Sequence, residues 1–209
     1  MEPTADHDDG VAQSPSTRAN AAADDGGPLH PWMPVTFASR SPGSRVFPSA
    51  VVHGDSLYIF GGHDGGVYRN DLLVFNLETR VWLLDLELTG GGPSPRDAHA
   101  AVVHDEWMYV FGGYDSKRYL NDFHRFHFDD LAWSSVPVGG GAPSPRGGHT
   151  AVVHAGEMLV FGGCDGWNYF NDLYARAAPS TQAAHSAAIL LFSYSPTLSH
   201  SLSQVQVQL

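Results

Sequence analysis

The chain has 209 residues, 43% apolar and 11% aromatic, which is enough to bury a core, and a formal net charge of −11. Its 11 Lys and Arg are scattered, with only Lys117 and Arg118 adjacent. This excludes the clustered cationic patch that phosphate backbones require, so no nucleic-acid role is expected. The longest apolar stretch of the uncharged C-terminal part, 187–192, falls far short of the roughly 20 residues of a membrane span, and one cysteine, Cys164, rules out an intramolecular disulfide or a metal site built on Cys pairs.

Residues 1–31 hold Glu2, Asp6, Asp8, Asp9, Asp24 and Asp25 against one Arg18, with almost nothing large and apolar before Leu29. Such a segment cannot bury enough surface to offset its ordering entropy, so a disordered acidic arm is predicted. It shows no basic region followed by an apolar stretch, hence no secretory signal or anchor. A cytoplasmic setting is expected, with the nucleus as the other option. Trp32 stands 50 residues before Trp82, and 32–37 therefore reads as an isolated copy of the strand that carries Trp82.

From Arg45 the chain repeats itself. Val-Val-His ends at His53, His104 and His154, Phe-Gly-Gly begins at Phe60, Phe111 and Phe161, and Asn-Asp begins at Asn70, Asn121 and Asn171. All three markers advance by 51 and then by 50, the signature of one supersecondary unit copied along the chain. In the middle copy four strands are predicted over 99–104, 108–112, 123–128 and 132–138, separated by turn residues. The unbroken apolar runs 101–103 and 72–75 predict sheets covered on both faces, since a surface strand would alternate. Gly61-Gly62, Gly112-Gly113 and Gly162-Gly163 remove two side chains in a row, as a close approach or a bulge demands. Pro-Ser-Pro-Arg at 93–96 and 143–146 stiffens the entry to each unit, and the glycine runs 90–92 and 139–141 before it read as blade connectors. Trp82 and Trp133 recur in the fourth strand.

These glycine pairs, Tyr68, Tyr119 and Tyr169 before Asn-Asp, and the two tryptophans resemble kelch repeats, in the style of the leucine-zipper-like transcriptional regulator and acyl-CoA-binding kelch proteins. The resemblance covers about 32–176 and implies a β-propeller with one four-stranded sheet per blade. It implies an all-β partial propeller of about three antiparallel blades, 45–89, 96–138 and 146–176, with 32–37 as an extra outer strand. The third blade is expected to be incomplete: Ala183 stands where a third tryptophan belongs, and 177–209 is a low-complexity tail expected to lack structure. The sequence reads either as a fragment of a larger kelch protein or as a short form whose open blade faces meet a partner or a second copy.

Candidate chemistry yields to the repeat. His99 and His104, like His149 and His154, are five apart and point to opposite faces of a strand, and His53, His104 and His154 are separated by whole blades, too far for one metal. Arg45, Arg96 and Arg146 are expected to bond carbonyls or Asp side chains, with a cationic rim at the channel mouth as the alternative. Cys164 reads as an exposed loop thiol. No phosphate loop or nucleophile elbow is present, and nothing matches the copper ligands of galactose-oxidase-like propellers beyond shared blades. No cofactor or metal is expected. The positions that do vary lie in the loop between the second and third strands, where Asp64, Asp115 and Asp165 are fixed and their neighbours change. His63, Tyr114, Lys117, Arg118 and Trp167 are therefore predicted to bind a protein partner, as a non-catalytic scaffold or adaptor would. The alternatives are a metal-dependent or oxidative propeller enzyme and a nonfunctional fragment.

Overall fold

The computed structural model describes residues 32–178, and the predicted arm over 1–31 and the tail beyond Ala178 lie outside the described residues. The chain divides into two compact units between Val35 and Thr36, and all strands among the described residues belong to the second. Among the described residues there is no helix.

Three sheets follow one another, antiparallel but for one short parallel pairing in the second. The first is β1 (Ser49–His53), β2 (Ser56–Phe60), β3 (Leu72–Asn76) and β4 (Val81–Leu83) in that order. β5 (Thr89–Gly90) then joins the second sheet, whose other members are β6 (Ala100–His104), β7 (Trp107–Tyr114), β8 (Tyr119–His127) and β9 (Ala132–Ser135). The third has β10 (Thr150–His154), β11 (Glu157–Phe161) and β12 (Leu173–Ala177), and no fourth strand among the described residues. Register repeats with the sequence: Ser49 pairs with Phe60, Ala100 with Phe111 and Thr150 with Phe161. The all-β partial propeller expected from the repeats is what forms.

The apolar strands are two-sided only where a neighbour exists. Val51 and Val102 face the following blade and join a core there, whereas their counterpart Val152 has no following blade among the described residues and is 54% exposed. Val103 and Val153 face the preceding blade and are covered, whereas Val52 is 54% exposed. Phe60 and Phe111 are buried; Phe161 is half exposed, and Leu173 more so. The two inter-blade cores are one cluster around Phe60, Leu72, Met108, Val110, Phe126 and Trp133, and a second around Phe111, Phe123, Met158 and Val160.

Both uses expected of the glycine pairs occur. A side chain at Gly61 would meet the Arg96 carbonyl at 2.7 Å, and one at Gly112 the Arg146 carbonyl at 2.8 Å, so the next blade's backbone occupies that space. The β7–β8 register shifts between Phe111 and Gly113, with Gly113 at φ 103°, and the two strands then resume pairing to Tyr114 and Tyr119. The hairpin therefore extends beyond the ends predicted for 108–112 and 123–128. Two further expectations fail. Residues 32–37 form no strand: Trp32 is fully exposed, and Phe37 packs edge-on against Phe75 and Trp82 without strand pairing. The glycine run 90–92, read as a plain connector, contributes a parallel partner to β9, with Thr89 beside Ala132 and Gly90 beside Trp133.

Candidate functional site

The recurring arginines are scaffolding. Arg96 and Arg146 are fully buried, and each forks onto the aspartate of its own blade's Asn-Asp pair: Arg96 Nη1 and Nη2 reach Asp122 at 2.6 and 2.8 Å, and Arg146 reaches Asp172 at 2.5 and 3.0 Å. Arg45 does the same with Asp71. Each also donates to the carbonyl of the first glycine of its blade's pair, Gly61, Gly112 or Gly162. Buried side chains cannot form the cationic rim considered above. Burial pushes the Asp122 carboxyl up, but the hydrogen bonds from Arg96 and His124 outweigh it and hold it well below the usual carboxylate range.

The histidines are likewise held separately. Ser49 Oγ and His99 Nε2 lie 2.7 Å apart, the spacing of a nucleophile and its base, yet both residues are buried and belong to different blades. Burial, reinforced by Arg96, drives His99 down to about 3, and its Nδ1 meets no partner that could orient it. A base so weak and so enclosed cannot activate a hydroxyl at neutral pH. Among the described residues no three His, Cys, Asp or Glu side chains converge as a metal site requires. Cys164 is partly buried rather than an open loop thiol: its backbone pairs with Gly147 and its Sγ lies 3.9 Å from Tyr119 Oη.

The loops after the glycine pairs are built alike and displayed differently. The fixed aspartate folds each loop back on itself. Asp64 accepts from the Val67 N–H at 3.0 Å, Asp115 from those of Lys117 and Arg118 at 2.9 Å, and Asp165 from those of Trp167 and Asn168 at 2.9 and 2.7 Å. With the backbone fixed in this way, the intervening side chains point outward. Trp167 and Tyr169 are each 92% exposed, and Arg118 makes only a long contact to Asp115 at 3.7 Å.

Between the second and third loops lies a groove of about 610 Å³ bounded by Tyr114, Lys117, Arg118, Tyr119, Pro145 and Trp167. Four of the five predicted recognition residues thus share one surface. His63 stands apart: its Nδ1 is 2.7 Å from Asp97 Oδ2, and its ring stacks on Tyr68. Burial raises the Asp97 carboxyl, and the bond from His63 opposes that rise. Tyr119 and Pro145 were read only as repeat markers. Tyr119 also forms a wall, covering Gly166, where a side chain would meet its ring at 3.0 Å, and packing against Tyr114 at 5.0 Å. Their signal in the sequence was hidden because a residue that builds the blade can line a groove as well.

Comparison with known proteins agrees with this architecture. The family model of the KLHDC2/KLHL20/DRC7 Kelch-repeats domain matches residues 49–206. The chain is 35% identical over 98 residues to the leucine-zipper-like transcriptional regulator 1 homolog of Drosophila melanogaster, covering 44% of this chain and 10% of that protein. It is 35% identical over 105 residues to acyl-CoA-binding domain-containing protein 5 of Arabidopsis thaliana, covering 49% and 16%. To Kelch domain-containing protein 3 of Rattus norvegicus it is 31% identical over 116 residues, covering 50% and 30%. The matched region thus spans at most 30% of the length of these relatives.

Proposed function

The chain belongs to the kelch-repeat family, and we propose that it is a non-catalytic scaffold or adaptor that holds a protein partner in the groove between its second and third loops. Kelch-repeat domains are in general protein-interaction modules. The observation that carries the reading is the contrast within each loop. The aspartate that shapes the loop is constant and internally bonded, while Lys117, Arg118 and Trp167 are turned to solvent around one cleft. An exposed indole beside two cations is a combination that interfaces use as an anchor and its flanking contacts. The residues with the strongest chemical character, Arg96, Arg146, His99 and His149, are buried in blade construction, which leaves recognition to the rim.

The test is affinity capture with the 209-residue chain and with an Arg118→Ala, Trp167→Ala double variant. Both side chains are exposed, so the variant's thermal unfolding should match the parent's. A partner held in the groove should lose about 10-fold or more in affinity, the effect of removing one interface anchor. Capture of every partner at unchanged affinity would exclude the groove as the binding surface.

A further inference from the structure

The two inter-blade cores differ by one ring. Trp133 lies against Phe60 and Phe126, at centroid distances of 5.1 Å each, and beneath Gly92, where any side chain would meet the indole at 3.2 Å. One repeat later, Phe111, Phe123, Ala142 and Arg176 hold the places of Phe60, Leu72, Gly92 and Phe126. Between them is a cavity of about 160 Å³ where the second indole would sit. A dry void of this size accepts an aromatic ring. Beside it, the outer edge of β12 carries no strand among the described residues.

The missing piece has a counterpart at the other end of the fold. From tryptophan to blade-opening arginine the spacing is 13 for Trp32–Arg45, 14 for Trp82–Arg96 and 13 for Trp133–Arg146. The chain after Phe37 already follows the path of an inter-blade connector. The Ala38 N–H donates to the Arg80 carbonyl at 3.1 Å, as the Thr89 N–H, 51 positions on, donates to that of Leu131 at 3.0 Å. In the latter case the residues just upstream include the outer strand of the preceding blade. Trp32 therefore leads a segment in register to be such a strand, and it is fully exposed. The open faces match as well. Val52 on the first blade and Val152, Phe161 and Leu173 on the third are the exposed counterparts of residues that meet in the interfaces already formed.

We propose that a second copy of the chain completes the third blade. Residues 32–37 of one copy add antiparallel to the edge of β12 in the other, Trp32 fills the 160 Å³ cavity, and the donor's first blade covers Phe161 and Leu173. Pro34 suits this position, because an outermost strand can lack an N–H on its open side. Exchange in both directions makes a two-fold pair with three blades from each copy, about six in all and within the about four to eight at which propellers close.

Light scattering of the 209-residue chain should give twice its 22.5 kDa mass, with the pair populated by about 100 µM if mass action governs it. Trp32→Ala should weaken association about 30-fold or more, the effect of losing a central aromatic anchor. Ala142→Phe, which closes the cavity from the acceptor side, should do the same. A synthetic peptide of residues 29–40 should dissociate the pair, and its Trp32→Ala version should not. The peptide keeps the test independent of whether the Ala142 variant folds. A monomer at all concentrations, including one whose cavity is filled by its own residues 179–209, would overturn the proposal. So would a pair indifferent to Trp32→Ala, or assembly that grows beyond two copies.

Discussion

His149 shows how much can turn on a single departure from the repeat. Its counterpart His99 bonds Ser49 Oγ of the preceding blade at 2.7 Å, but the residue matching Ser49 one repeat later is Ala100, and both nitrogens of the buried His149 ring lack a partner. Burial, reinforced by Arg146, lowers His149 to about 4, so the ring is neutral and can exchange a hydrogen bond with a hydroxyl. Ala100→Ser restores the hydroxyl at the matching position. It should stabilise the fold by about 0.5–1.5 kcal/mol, the net worth of a neutral hydrogen bond, seen as a higher urea midpoint at unchanged slope. An unchanged midpoint would mean that the new hydroxyl does not reach the ring. The pairing was invisible in the sequence, because Ser49 and His99 are 50 positions apart and neither type signals the other. The His63 contact was hidden for a related reason: His63 looks like a variable loop residue, and only the fold brings Asp97 beside it.

At the scale of elements the sequence was legible wherever one repeat carries its own cause. The glycine pairs announced close approach, the apolar runs announced two-sided sheets, and the arginines announced internal bonds. What could not be read were contacts decided by a neighbour. Thr89–Gly90 has no strand pattern, yet β9 captures it; 32–37 has the right tryptophan register but forms no strand. Arg96 joins both kinds of contact. Its side chain clamps Asp122 and the Gly112 carbonyl in its own blade, while its N–H donates to the Arg69 carbonyl at 3.0 Å and its carbonyl accepts from the Gly62 N–H at 2.8 Å in the blade before. Arg96→Lys keeps the charge but loses the planar fork, and lysine cannot meet both carboxylate oxygens and the carbonyl from a fully buried stem. A loss of roughly 2–4 kcal/mol is expected, short of the full cost of stranding a buried partner because Asp122 is two-fifths exposed. Chemical denaturation measures it, and a loss below about 0.5 kcal/mol, the range of ordinary surface changes, would show the clamp to be dispensable.

The assembled blades should be acid-sensitive, because the two buried histidines between them are tuned in one direction. Burial leads in lowering both His99, to about 3, and His149, to about 4, from an unfolded value of 6.5. Between these limits the unfolded chain binds protons that the folded chain refuses, so acidification favours unfolding. Stability is complete above about pH 6.5 and declines as pH falls toward 4, each histidine contributing on the order of 1 kcal/mol per pH unit. Below about pH 4 the contribution of His149 levels off. Asp122 then takes over: burial raises its carboxyl, the bonds from Arg96 and His124 outweigh that, and its stabilisation is lost only at still lower pH. Urea midpoints at pH 7.5, 6.0 and 5.0 should therefore fall in that order. A His99→Phe, His149→Phe double variant, which keeps two buried rings but removes both titrations, should show a flatter profile over the same range. If parent and variant fall in parallel, the acid sensitivity resides elsewhere and the inter-blade histidines do not control it.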